Sequence, residues 1–187
     1  MLKNLPNVIT FIRIVLAPVI AFILWQPQSA YLGALGLALF CFAGFSDWLD
    51  GWLARRLNTV SSVGRMLDPI ADKLLIAACL LAFAAQRGAD LLFLAPALVI
   101  IFREFLVSGL REYLAKQNIS APVTKLAKWK TTAQILALGF LMGAPGFPGF
   151  PFAHEIGLIL LWIAAILTVQ TGSGYVRGAL GHVNTLR

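Results

Sequence analysis

Long apolar runs alternate with short polar breaks along this chain. A helix needs about twenty predominantly apolar residues to cross the hydrocarbon of a bilayer. On that measure the pattern predicts six helices, near residues 8–25, 31–56, 65–86, 91–115, 125–145 and 154–176. The expected fold is all-α and integral to the membrane: a six-transmembrane-helix bundle, one domain over residues 1–187. The first run, "VITFIRIVLAPVIAFILW", follows Lys3 as a signal peptide would. It carries Arg13 internally, and no small-x-small cleavage site follows in "QPQSAYLG", so a retained first helix is expected.

Composition supports the membrane class. Hydrophobic residues make up 59% of the chain, charged residues 12%, and the mean hydropathy is +0.83; a soluble domain carries roughly 25% charged residues. The net charge of +7 raises the question of nucleic acid. The charges cluster between apolar spans, however, and form no basic stripe with stacking aromatics, so no nucleic-acid partner is expected. Cys41 and Cys79 both lie inside apolar runs and share no metal-ligand spacing with His154 or His182.

Basic residues set the orientation. Fourteen of the fifteen lysines and arginines fall at the termini or around the second and fourth connections, and only Arg87 falls on the other side. Under the positive-inside rule both termini and the second connection face the cytoplasm.

The four aspartates Asp47, Asp50, Asp68 and Asp72 stand out against this background, because the whole chain has eight acidic residues. Asp47 and Asp50 are three apart and Asp68 and Asp72 four apart, so each pair shares a helix face. "RRLNTVSSVG" between them predicts a turn and an antiparallel neighbour, which would gather the carboxylates at the cytoplasmic edge of the membrane. Solvated charges at helix ends are the ordinary explanation for a lone interfacial acid. Here the flanks are apolar, and a carboxylate at the bilayer centre costs about 2.5–3.5 kcal/mol. Four desolvated, mutually repelling anions favour either protonation or a cation. Oxygen-only ligands suit Mg²⁺, Mn²⁺ or Ca²⁺ rather than zinc. Gly51 and Ala54 allow close approach to the helix, Gly64 allows the same or a tight helix start, and Arg55 offers a fork of donors for phosphate. Together these describe a site for a di- or triphosphate carried by a nucleotide or lipid.

The spacing Asp47-x2-Asp50-Gly51-x2-Ala54-Arg55-x8-Gly64-x3-Asp68-x3-Asp72 resembles, without a gap, the signature of the CDP-alcohol phosphatidyltransferases. "NLPNVITFIRIVLAPV", "REFLVSGLREYLA" and "KLAKWKTTAQ" resemble bacterial phosphatidylglycerophosphate synthases within that family, so the likeness spans about the first 135 residues. The resemblance implies a dimeric six-helix membrane domain in the bacterial inner membrane, its active site facing the cytoplasm. It would transfer a phosphatidyl group from CDP-diacylglycerol to sn-glycerol 3-phosphate. It also implies that Asp47, Asp50, Asp68 and Asp72 hold a pair of divalent metals, Mg²⁺ or Mn²⁺, with Asp72 as the base for the acceptor hydroxyl. Gly51, Ala54, Arg55 and Gly64 would line the cytidine-diphosphate pocket. No serine–histidine pairing or thiol suggests a covalent enzyme intermediate, so direct displacement is expected.

Arg103, Glu104, Arg111 and Glu112 share one apolar helix, and Lys128 and Lys130 lie just ahead of the fifth apolar run. Snorkelling to headgroups accounts for Lys116 and Lys125. Two charged pairs on one helix are costly in lipid, and a phosphorylated acceptor would need cations of this kind. Arg103, Arg111, Lys128 and Lys130 are therefore the expected acceptor-phosphate residues. The subfamily pattern Gly-Lys-x-Lys-Thr reads Ala127-Lys128-Trp129-Lys130-Thr131 here, which keeps the basic pair and loses the glycine. Asn7, Thr10 and Arg13 are expected to border lipid entry, or else to serve capping and topology.

"GAPGFPGFPF" reads as an exterior connection whose phenylalanines dip into the interface, and "GSGYVRGALGH" as a frayed helix end. Another acceptor, such as phosphatidylglycerol (a cardiolipin synthase), serine or an inositol phosphate, is the nearest alternative; the basic set weighs against serine. An ion-coupled transporter would predict two repeated halves, which the sequence lacks. A purely structural subunit would leave the acids unexplained.

Overall fold

The computed structural model describes residues 5–27, 29–57, 62–88, 90–117, 125–147 and 149–185; within them, the side chains of 5–7, 50–55, 57, 62–63, 65, 125 and 177–185 lie outside the description. The described residues form six α-helices and one short 3₁₀ turn, with no strand among them: α1 Leu5–Trp25, α2 Ala30–Leu57, α3 Ser62–Arg87, α4 Leu91–Lys116, α5 Lys125–Gly143 and α6 Ala153–Thr185. All six expected helices are present. At 1.5 Å per residue, a twenty-residue helix spans about 30 Å, the thickness of the bilayer core.

Among the described residues, four helices, α1, α2, α4 and α6, are long and apolar enough to cross a membrane, with spans at Val8–Trp25, Ala30–Leu49, Leu91–Lys116 and Ala153–Val176. α3 carries Asp68, Asp72 and Lys73, and α5 carries Lys125, Lys128 and Lys130, which lowers the hydropathy of both. Large apolar side chains such as Phe11, Phe22, Phe45, Phe102, Trp129 and Ile166 are exposed throughout. A soluble protein rarely exposes such extensive apolar surface, and around membrane helices that surface faces acyl chains. The molecule is an all-helical, multi-pass membrane protein.

The chain divides into two compact units, Met1–Gly88 with Leu138–His154, and Ala89–Ala137 with Glu155–Arg187. In the first unit α1 packs extensively against both α2 and α3. Its buried residues are Thr10, Arg13, Ala17, Ile20 and Leu24. Their alternating steps of three and four make one narrow seam. α2 answers with Gly33, Gly36, Phe40, Ala43 and Ser46, and α3 with Ala71, Leu75, Cys79 and Phe83. At its first turns α2 meets the end of α5 closely. A Cβ on Gly33 would stand 2.6 Å from the Met142 carbonyl oxygen, so only glycine fits there.

In the second unit, Asp90 caps α4 by accepting a hydrogen bond from the Leu92 amide at 3.0 Å. Along α6 the buried positions Gly157, Leu161, Ala164, Thr168 and Thr171 again step by four and three. The expected frayed end at "GSGYVRGALGH" is instead continuous helix, since α6 runs to Thr185. Glycine is common in membrane helices, and Gly172 serves a close contact described below. Phe147, Phe150 and Phe152 of the α5–α6 connection are exposed, as an interfacial connection requires.

Candidate functional site

In the first unit Asp47 of α2 and Asp68 and Asp72 of α3 are brought to one residue of α1. Arg13, on the buried seam of α1, is 1% exposed. Its Nη1 donates to Asp72 Oδ1 of α3 at 2.6 Å and also pairs with Asp47 Oδ1 of α2, while Nη2 lies 3.9 Å from Asp68 Oδ1. One turn earlier, Thr10 Oγ1 donates to that same Asp68 oxygen at 2.7 Å. Thr10 and Arg13 are three apart and share a helix face, so a single edge of α1 grips acids from two other helices.

The burial of this group is one-sided. Arg13 is enclosed, whereas the side chains of Asp47, Asp68 and Asp72 remain 43%, 45% and 57% exposed. The guanidinium is therefore covered while the carboxylates around it stay open on their other side. A planar guanidinium matches carboxylate geometry and cannot lose its charge. Even so, it sets a single positive charge against three described acids. Residues 58–61, for which the sequence predicts a turn, lie outside the described residues.

Asp50, Gly51, Ala54 and Arg55 continue along α2 from Asp47, but their side chains lie outside the described ones. Gly64 sits in the first turn of α3, one turn ahead of Asp68. Among the described residues no three acids are already arranged as a metal cage. The donor set is nonetheless suited to a hard divalent ion: carboxylate oxygens only, partly open outward and buttressed from beneath.

In the second unit the basic residues separate into two groups. Lys130 of α5 and Arg103 of α4 converge on one oxygen, Glu104 Oε1, at 2.5 Å and 3.3 Å. Arg103 Nη2 also donates to Thr171 Oγ1 of α6 at 2.7 Å, and Thr171 in turn donates to the Leu167 carbonyl at 2.8 Å. Gly172 makes room for this, because a Cβ there would stand 3.0 Å from Arg103 Nε. Gln134 Nε2 reaches Thr168 Oγ1 at 3.5 Å one turn further along the same interface. Lys130 is 6% exposed and Thr168 fully buried. With two cations on one carboxylate, this partly buried trio is net positive.

Arg111 and Lys128 are exposed and stand outside that network, while Glu112 pairs with Lys116 at 3.1 Å on the surface of α4. The four basic residues thus divide into an inward pair, Arg103 and Lys130, and an exposed pair, Arg111 and Lys128. Glu104, Thr171 and Arg13 were not recognised from sequence as parts of these groups. Their one legible signal was a charged or hydroxyl residue at a seam position of an apolar helix.

Residues 3–170 match the family model described as CDP-alcohol phosphatidyltransferase. The chain is 45% identical over 177 residues to a CDP-diacylglycerol–glycerol-3-phosphate 3-phosphatidyltransferase of Rickettsia felis, covering 94% of each chain. A protein of the same name from Rickettsia typhi is 43% identical over 94% of this chain and 97% of its own length. Another, from Pseudomonas fluorescens, is 40% identical over 97% of this chain and 93% of its own.

Proposed function

Since this chain belongs to the CDP-alcohol phosphatidyltransferase family, we propose that it transfers a phosphatidyl group from CDP-diacylglycerol to sn-glycerol 3-phosphate, giving phosphatidylglycerophosphate and CMP. The observation that carries this reading is the convergence of Asp47, Asp68 and Asp72, from two helices, around one buried cation with their outer faces open. Asp47, Asp50, Asp68 and Asp72 would hold the divalent ions, Mg²⁺ or Mn²⁺ and two in number. Bound there, the ions neutralise the diphosphate oxygens and the departing CMP.

The chain's own groups account for the rest. Asp72 is the most exposed of the three described acids, and it takes the proton of the acceptor hydroxyl. A carboxylate within reach of the hydroxyl can accept its proton. The hydroxyl oxygen then forms a bond to the phosphorus that bears the diacylglycerol, and the linkage between the two phosphates breaks. CMP leaves with the electron pair of that linkage. Gly51, Ala54, Arg55 and Gly64 line the nucleotide side. The net positive Arg103–Glu104–Lys130 cluster supports an acceptor that itself carries a phosphate, with Arg111 and Lys128 adding positive charge at the surface. All six helices cross the membrane, with both termini in the cytoplasm, and the enzyme works as a homodimer in the bacterial inner membrane.

The test is CMP release by purified protein given CDP-diacylglycerol, Mg²⁺ or Mn²⁺, and separate alcohols. Turnover with glycerol 3-phosphate is expected. Turnover with phosphatidylglycerol but none with glycerol 3-phosphate would overturn the acceptor assignment and leave the chemistry standing.

A further inference from the structure

Arginine inside an apolar helix is usually explained by snorkelling or topology, yet Arg13 is 1% exposed and points into the protein. It occupies the same seam as Ala17, Ile20 and Leu24, all fully buried. A buried cation of this kind is retained only where its partners compensate the lost hydration. Its partners are Asp47 and Asp72 through Nη1, with Asp68 at 3.9 Å from Nη2. Thr10 completes the contact by donating to Asp68 at 2.7 Å.

From this geometry we infer that Arg13, assisted by Thr10, is a positioning residue: a fixed floor that holds the inner oxygens of Asp47, Asp68 and Asp72 and leaves their outer faces free to take up a cation. The inference rests on the reading of these acids as metal ligands given above. Two physical points favour a permanent floor over a cation that merely fills the site until a metal displaces it. The guanidinium is enclosed while the carboxylates are about half exposed, so access lies on the side away from Arg13. Moving Arg13 out would also leave a void in the α1 seam, and packed interiors tolerate such voids poorly. Ligating carboxylates depend on a second layer of hydrogen bonds for their orientation, and removing that layer typically weakens metal binding by about 10- to 100-fold.

The test is Mn²⁺ affinity of the full-length purified protein, followed by the electron paramagnetic resonance of free Mn²⁺ well below the melting temperature. Arg13→Gln is expected to weaken binding at least about tenfold. Arg13→Lys, which restores the charge without the fork, is expected to recover only part of the loss. Thr10→Val, which removes only the hydroxyl on Asp68, is expected to give a smaller loss in the same direction and keeps the test available should Arg13→Gln fail to fold. A role in folding alone would lower the melting temperature and leave the affinity of folded protein unmoved. Unchanged or tighter Mn²⁺ binding in the variants, with the wild type binding normally, would overturn this inference and spare the metal-site reading. A wild type that binds no Mn²⁺ would overturn that reading first, and this inference with it.

Discussion

At the residue scale, single side chains divide into those that do chemistry and those that hold others still. Asp72 belongs to the first group in this account. Asp72→Asn keeps the shape and loses the base, so CMP release should fall by about 10²- to 10⁴-fold while CDP binding measured by calorimetry survives in part. An active Asp72→Asn enzyme would contradict the assignment. Glu104 belongs to the second group. It is the shared acceptor for Arg103 and Lys130, and its loss would strand two adjacent cations in a buried interface. Glu104→Ala should destabilise the protein by about 3 kcal/mol, read as a lower melting temperature in detergent; a variant as stable as wild type would show that water reaches both cations freely. Neither Glu104 nor Arg13 was legible as a partner in the sequence. Arg13 lies 59 residues from Asp72, and Glu104 26 residues from Lys130. Local spacing reveals pairs on one helix and is silent about pairs that only tertiary packing brings together.

At the element scale, the helices were readable because an apolar run long enough to cross a bilayer has few alternatives to helix. What the runs did not reveal is which helices pair. The spacing of the acids points to α2 and α3 as neighbours and is silent about α1, the element that packs extensively on both. That arrangement follows from a seam stepping by three and four along α1, with small or shape-matched residues facing it on α2 and α3. The length of α6 was under-read for a related reason: glycines in "GSGYVRGALGH" look like breakers until Gly172 is seen making room for Arg103. Gly33 offers a test of helix pairing. A methyl there meets the Met142 carbonyl oxygen at 2.6 Å, so Gly33→Ala should cost about 1–3 kcal/mol through overpacking. Gly44, whose added Cβ would meet nothing within 4 Å, is the matched control, and Gly44→Ala should leave the melting temperature nearly unchanged. Equal melting temperatures for the two variants would contradict the close α2–α5 approach.

At the scale of the whole molecule, the distribution of charge predicts an orientation, and the acids are the proposed site. Orientation is open to direct measurement. In protein with Cys41 and Cys79 replaced by alanine, Ser29→Cys, at an exposed position between α1 and α2, should react with a membrane-impermeant maleimide applied to intact spheroplasts. Gln117→Cys after α4 should react only once the membrane is broken. The opposite pattern would reverse the topology. In the function proposed here, one edge of α1 presents a cation to acids of α2 and α3, whose outer faces would be left for ions that grip a diphosphate. The anomalous scattering of Mn²⁺ in crystals grown with CDP examines that claim most directly. Manganese peaks within bonding distance of Asp47, Asp68 and Asp72, with Arg13 still seated beneath them, are the predicted result. Manganese bound elsewhere, or those carboxylates turned away from the nucleotide phosphates, would contradict it.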